Sequence, residues 1–293
     1  MRHRYREKRI LSGPYLEIEI YPVSVQEAKK PRTRKLKESR KAQKNLNDKN
    51  AKKQLVRLIN ANFDNRDLAV HMTYDSEHLP ESIEGVQRDV QNYFRRVKAH
   101  RKKQGLPELK YIAVMEYKDA ELTDRGIRIH LHVIMSGMDR DAAEQLWGKG
   151  RVNADRLQAD NHGYEGLARY IAKDPKGAKR WTQSKNLKQP IISINDSRWS
   201  RHRVAELAMA PDDQKLLERL YGGFAFTEAR PEVNPVTGEI HISIKMRQTG
   251  PRSRPEKGGN HDHGSNRQIN RRGQQKQGRN GPGAGRIPDR QHE

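Results

Sequence analysis

From residue 127 to residue 135 the chain alternates. Ile127, Ile129, Leu131, Val133 and Met135 take the odd positions, and Arg128, His130, His132 and Ile134 the even ones. Period-two alternation marks a strand, whose successive side chains point to opposite faces. The odd face must be buried, so a further layer has to pack on it. LKYIAVMEY (109–117) predicts the strand before it, and the polar KDAELTDR with the following glycine predicts a hairpin between the two. DLAVHMTYD (67–75) reads as another strand. IEGVQRDVQNYFRRVKAHRKK (83–103) has Val86, Val90, Tyr93, Phe94 and Val97 at spacings of three and four, which predicts an amphipathic helix with a basic outer face.

The same mixture continues to about Met246. RDAAEQLW, GYEGLARYIAKDP, RHRVAELA and DDQKLLERLY read as helices, the second stopped by Asp174-Pro175. GRVNADRLQ, GGFAFTEA and GEIHISIKM read as strands. Hairpin-joined strands interrupted by helices indicate an α+β domain around a central antiparallel sheet with flanking helices. Upstream, Tyr15–Pro22 alternates like a half-buried strand, KKPRTRKLKESRKAQKN is a basic linker, and Leu55, Leu58, Ile59 and Phe63 predict a helix entering the core. The expected organisation is a basic N-terminal extension at 1–64, a main domain at 65–248 and a disordered basic tail at 249–293. The tail is rich in Gly, Arg, Gln and Asn and has too little apolar surface to offset its ordering entropy.

A formal net charge of +22 and only 33% hydrophobic residues point to a polyanionic partner, nucleic acid first. With no cysteine, disulfide frameworks and thiolate zinc sites are excluded. The sequence has no apolar run of about 18 residues that would span a membrane, and its basic opening is not followed by an apolar signal core. A soluble cytoplasmic protein is expected.

His130 and His132 share one strand face as neighbours, roughly 6–7 Å apart at the backbone. Glu116 has the same parity as Ile112 and Val114 on the preceding strand, so the hairpin can bring it beside them. Two imidazoles and a carboxylate form a three-ligand set with open positions for water or substrate oxygens. Paired strand histidines without a metal are the competing reading. On the helix containing GLARYIAKDP, Tyr164, Leu167, Ala168 and Ile171 form the core stripe. Tyr170 and Lys173, three apart, stack on an adjacent one, and Gly166 leaves space over the phenol. A tyrosine beside a lysine can act as an assisted nucleophile; a core-edge aromatic with a solvated lysine is the alternative. Arg95, Arg96, Lys98, Arg101, Lys102 and Lys103 on the long helix are candidate contacts to the DNA backbone. Two Arg-Trp pairs, Arg180-Trp181 and Arg198-Trp199, suit a strand whose bases stack.

Together these motifs resemble the HUH endonuclease superfamily, and within it the rolling-circle replication initiators (Rep proteins) of phages, plasmids and related mobile elements. HMTYDSEHLP (71–80) resembles the first motif, His130-Leu131-His132 the histidine–hydrophobe–histidine motif, and Tyr170-Ile171-Ala172-Lys173 the nucleophile motif. The resemblance covers about residues 65–246. It implies an RRM-like or ferredoxin-like fold, a Mg²⁺ or Mn²⁺ ion on His130, His132 and Glu116, and attack by Tyr170 on single-stranded or cruciform origin DNA to give a 5′-phosphotyrosyl adduct. Lys173 would orient the phosphate or stabilise charge. Host helicase and polymerase are implied partners, in a bacterial host cytoplasm, because no Gly-x-x-x-x-Gly-Lys-Ser/Thr is present. His71 stands where the first motif more commonly has an apolar residue, and reads as a histidine at the core edge. A single-tyrosine HUH transposase, and a non-catalytic basic nucleic-acid-binding protein, are the competing functions.

Overall fold

The computed structural model describes residues 4–23, 41–116, 122–123, 126–127, 129–173 and 180–250. Most of the predicted linker, the hairpin residues around KDAELTDR, Arg128, Asp174-Pro175 and the tail from 251 onward lie outside the described residues. In chain order the elements are β1 (Arg4–Ser12), β2 (Tyr15–Val23), α1 (Lys41–Asn62), β3 (Leu68–Thr73), α2 (Ile83–Lys103), β4 (Tyr111–Glu116) and two short strands, β5 (Leu122–Thr123) and β6 (Gly126–Ile127). They continue as β7 (His130–Met135), α3 (Arg140–Gln145), β8 (Val152–Arg156), α4 (Glu165–Ile171), β9 (Thr182–Gln183) and β10 (Ile191–Trp199). The last four are α5 (Arg201–Met209), α6 (Gln214–Leu220), β11 (Phe224–Val233) and β12 (Ile240–Gln248).

The predicted central sheet has the order β8-β3-β7-β4-β9 and is antiparallel. Both of its faces are covered. Leu68, Val70, Met72, Leu131, Val133 and Met135 pack on α2 through Val86, Val90, Tyr93, Phe94 and Val97, as the spacing requires. The opposite face presents Ile112, Val114 and Ile134 to Leu55, Leu58 and Ile59 of α1 and to Ala168 and Ile171 of α4. Each fully buried aliphatic side chain of this kind contributes about 1.5–3 kcal/mol. Ser82 starts α2 by accepting a hydrogen bond from the Gly85 amide at 3.2 Å.

A second antiparallel sheet, β10-β1-β2-β12-β11, extends the single-sheet expectation. The strand predicted at Tyr15–Pro22 is β2, and it pairs with β12, Ile20 opposite Ile242 and Ile18 opposite Ile244. One face of this sheet packs on α5 and α6 through Ile18, Ile20, Ile242, Val204, Leu207 and Leu217. β1 and β10 have no clear apolar alternation. The reason in β1 is Glu7, a carboxylate at a fully buried position. It accepts hydrogen bonds from Trp199 Nε1 at 2.6 Å and Tyr221 Oη at 2.8 Å, with Arg9 Nε at 2.5 Å. Buried charge is tolerated when it is this fully paired, and it breaks the pattern by which a strand is read.

Candidate active site

β3, β7 and β4 lie side by side, with His71 opposite His132, Thr73 opposite His130, and Glu116 opposite His130. Strand parity sends His71, His130, His132 and Glu116 to the face that α1 and α4 cover. Glu116 reaches diagonally past its direct partner, and its Oε2 lies 3.2 Å from His132 Nε2. His132 is buried and His130 exposed. The His71 ring stacks on both: 5.5 Å from His130 at an interplanar angle of 6°, and 4.9 Å from His132 at 27°. His71 is therefore not an isolated core-edge residue but the third imidazole of a cluster.

Burial holds the His132 imidazole below its ordinary pKa; the hydrogen bond and charge of Glu116 oppose this, and His130 adds to it. Burial likewise lowers His71, assisted by His132 and His130 and opposed by Glu116. Both rings are consequently neutral at pH 7 and keep a lone pair available to a cation or a hydrogen-bond donor.

Tyr170 projects from α4, 65% exposed, with its ring edge-on to His132 at 5.5 Å and 82°. Between the helix and the sheet lies a pocket of about 250 Å³ lined by His71, His132, Asn153, Leu167, Tyr170 and Ile171. The position of α4 is set at its N-terminal end. Gly163 has φ +74°, and a Cβ there would come within 2.6 Å of Asn60 Oδ1 and 2.8 Å of the Tyr15 ring. Asn60 Oδ1 accepts the Tyr164 amide at 3.0 Å, and Lys245 Nζ holds Glu165 at 2.7 Å. Tyr164 is buried and its hydroxyl donates to Asn65 Oδ1 at 2.7 Å, so it faces away from the cluster. Gly166 has nothing within 4 Å of where a Cβ would stand, which leaves that flank open as expected.

Lys173 departs from the expectation. α4 ends at Ile171 with Ala172 as its C-cap, so Lys173 follows the helix and does not stack one turn above Tyr170. Its amide donates to Tyr170 O at 3.2 Å and its carbonyl accepts from Lys52 Nζ at 3.5 Å.

The predicted DNA contacts are not brought to this face. α2 covers the other side of the sheet. There Arg101 is buried and donates to the carbonyls of Pro107, Ser136 and Gly137, and Arg96 donates to those of Leu146 and Trp147. Arg95, Lys98, Lys102 and Lys103 are exposed on that side, Arg95 bonded to Asn92. Arg198 and Trp199 are bonded to Glu7 within the second sheet's core; they hold the fold and do not form a stacking platform. Arg180 is exposed and pairs with Asp48, while the Trp181 indole donates to Gln183 Oε1 at 2.7 Å.

Among the described residues no group of three or more His, Asp or Glu side chains is arranged to hold a metal ion. The three expected ligands are neighbours, but Glu116 and His132 face each other and not a common point. The donor chemistry nonetheless fits a divalent cation, with neutral imidazoles and a carboxylate on one face. No helix among the described residues is long and apolar enough to cross a membrane.

The family model of replication-associated protein ORF2 matches residues 67–175, from β3 to just past α4. Comparison with curated proteins and with solved structures finds no match. The matched segment contains His71, Glu116, His130, His132 and Tyr170, and its sheet has the antiparallel α+β build of the RRM-like class. The match and the fold together place the chain among the Rep proteins of the HUH type, with a DNA-processing role in replication initiation.

Proposed function

We propose that the protein is a site- and strand-specific DNA nickase and strand-transferase that initiates rolling-circle replication of a mobile element. The observation that supports it best is Tyr170, held edge-on to a neutral imidazole of the histidine cluster and open to solvent across a pocket. A phenol in that setting is accessible to a bulky polymer, which a core tyrosine is not. Tyr170 Oη attacks the phosphorus of single-stranded or cruciform origin DNA. A Tyr–O–P bond forms and the P–O3′ bond breaks. The product is a 5′-phosphotyrosyl adduct, and the released 3′ oxygen takes a proton to become the hydroxyl that primes synthesis. The phosphotyrosyl ester keeps the bond reactive for a later rejoining step.

His130, His132 and Glu116 would hold a Mg²⁺ or Mn²⁺ ion, with His71 beside them. When bound, such an ion supplies Lewis-acid polarisation of a phosphate oxygen. Lys173, at the end of α4, is proposed to meet the phosphate and oppose the charge that develops on it. Elongation would then require a helicase and a polymerase from the host.

The test incubates the protein with a random-sequence single-stranded DNA library and Mn²⁺, resolves covalent adducts on a denaturing gel, and sequences the captured ends. Wild type is expected to yield an adduct at one preferred junction. Tyr170→Phe is expected to yield none. An adduct that persists in Tyr170→Phe removes the nucleophile assignment.

A further inference from the structure

α4 has two working flanks. At 100° per residue, Leu167, Tyr170 and Ile171 point to the histidine pocket, whereas Glu165 and Arg169 point the other way. On that second flank, between the helix and the second sheet, lies a larger cleft of about 590 Å³. α1 lines it with Lys49, Lys52 and Lys53, α4 with Arg169, and the second sheet with Arg230 and Lys245. Only Glu17 and Glu165 line it with the opposite charge. Glu19 and Glu228 reach in from the rim to Lys53 and Lys245, each at 3.4 Å, and a positive excess still remains. Lys245 and Arg169 are held in place by Glu165. Lys49 and Lys52 have no carboxylate partner among the described residues.

A concave site with excess cations concentrates polyanions, and cations spaced along a groove suit a phosphate chain better than a compact ligand. We infer that this cleft binds the phosphate backbone of the single-stranded DNA adjoining the nick. The position of Tyr170 favours DNA as the occupant. α4 is seven residues long, about 10 Å along its axis, so a strand bonded to Tyr170 reaches the cleft within a few nucleotides at about 3.4 Å each. Lys52 also touches the carbonyl of Lys173, just past the nucleophile's helix. The inference rests on the nickase reading of the Tyr170 pocket and adds the path of the strand away from it.

The experiment measures binding of a fluorescein-labelled 20-nucleotide oligothymidine to the full chain by anisotropy, across a salt series. Each phosphate contact on a single strand contributes about 0.7 to the slope of log K against log salt. The Lys49→Gln/Lys52→Gln/Lys53→Gln variant is expected to lower the slope's magnitude by about 2, and Lys49→Arg/Lys52→Arg/Lys53→Arg to restore it. An unchanged slope in the glutamine variant overturns the proposal, as does a loss confined to duplex DNA of the same length. Tyr170→Phe is expected to keep the wild-type slope while losing the adduct. An adduct that persists in that variant therefore indicts the nucleophile and leaves the cleft standing.

Discussion

His71 is the residue on which the chemistry of the pocket is most sensitive. It stacks on His130 and His132 from the neighbouring strand, and burial keeps it neutral. As a support or a further donor for a cation on that face, its removal should cost about 10–100-fold in metal affinity. His71→Ala is expected to weaken Mn²⁺ binding by that factor, read as free Mn²⁺ by electron paramagnetic resonance, with the circular dichroism spectrum unchanged; wild-type affinity would show that His71 only packs. The same lowered pKa sets a sign for stability. Below the ordinary histidine value of 6.5, the unfolded chain takes up protons that folded His71 and His132 resist. Their contribution is thus intact above pH 6.5 and lost as pH falls through the folded values. The loss of thermal stability between pH 7.5 and 5.5 should be smaller in His71→Asn than in wild type. His130, His132 and Glu116 were legible in the sequence because parity within one hairpin is a local property. The part His71 plays was not, since it depends on the register between β3 and β7, and nothing local encodes that.

Among the elements, α4 shows why a correct helix prediction still misplaced a side chain. The spacing of Tyr164, Ala168 and Ile171 identified the buried stripe, and all three are buried. The helix nevertheless ends at Ile171, so Lys173 left the predicted stack with Tyr170. The prediction for α2 failed differently: its amphipathic period was right, but the outer basic residues include Arg101, which is buried because three carbonyls take its guanidinium. A sequence does not say which arginines are needed by loops. The N-terminal seat of α4 gives the element-scale prediction. Gly163→Ala combines a positive φ with a Cβ driven against Asn60 and Tyr15, a strain of about 1–3 kcal/mol if nothing moves. The helix is expected to shift instead, so adduct formation should fall by far more than the melting temperature suggests. Asn60→Ala, which loses the bond to the Tyr164 amide and makes room for the Cβ, should recover part of it in the double variant.

At the scale of the molecule, α1 lies between two sheets and meets them by different physics. Leu55, Leu58 and Ile59 enter the core of the first sheet. Toward the second sheet the contacts are ionic: Arg57 binds Glu17 at 2.6 Å and Glu19 at 3.4 Å, Lys53 reaches Glu19 at 3.4 Å, and on α4 Glu165 takes Lys245 at 2.7 Å. The first interface was legible as helical apolar spacing. The second was not, because its charged residues read as solvated. Burial alone would raise the pKa of Glu19 and Glu165, but Lys53, Arg57 and Lys8 around Glu19, and Lys245 and Arg169 around Glu165, outweigh it and hold both below the ordinary 4.5. With folded values depressed, the stabilisation is fully present above pH 4.5 and lost as pH falls through the folded values. The side chains of both are mostly shielded from water, at 16% and 14% exposure, so ordinary salt should screen them less than surface pairs. Acid is therefore expected to loosen the second sheet from α1 and α4 before it disturbs the first. Hydrogen exchange just below pH 4.5 should show protection lost along β2 and β12 while β3 and β7 keep theirs. Glu19→Gln/Glu165→Gln should show the same weakened protection at pH 7 and little further change on acidification. Simultaneous loss from both sheets in wild type would mean that the seam is no weaker than the core, and that the ionic face of α1 does not set the order of opening.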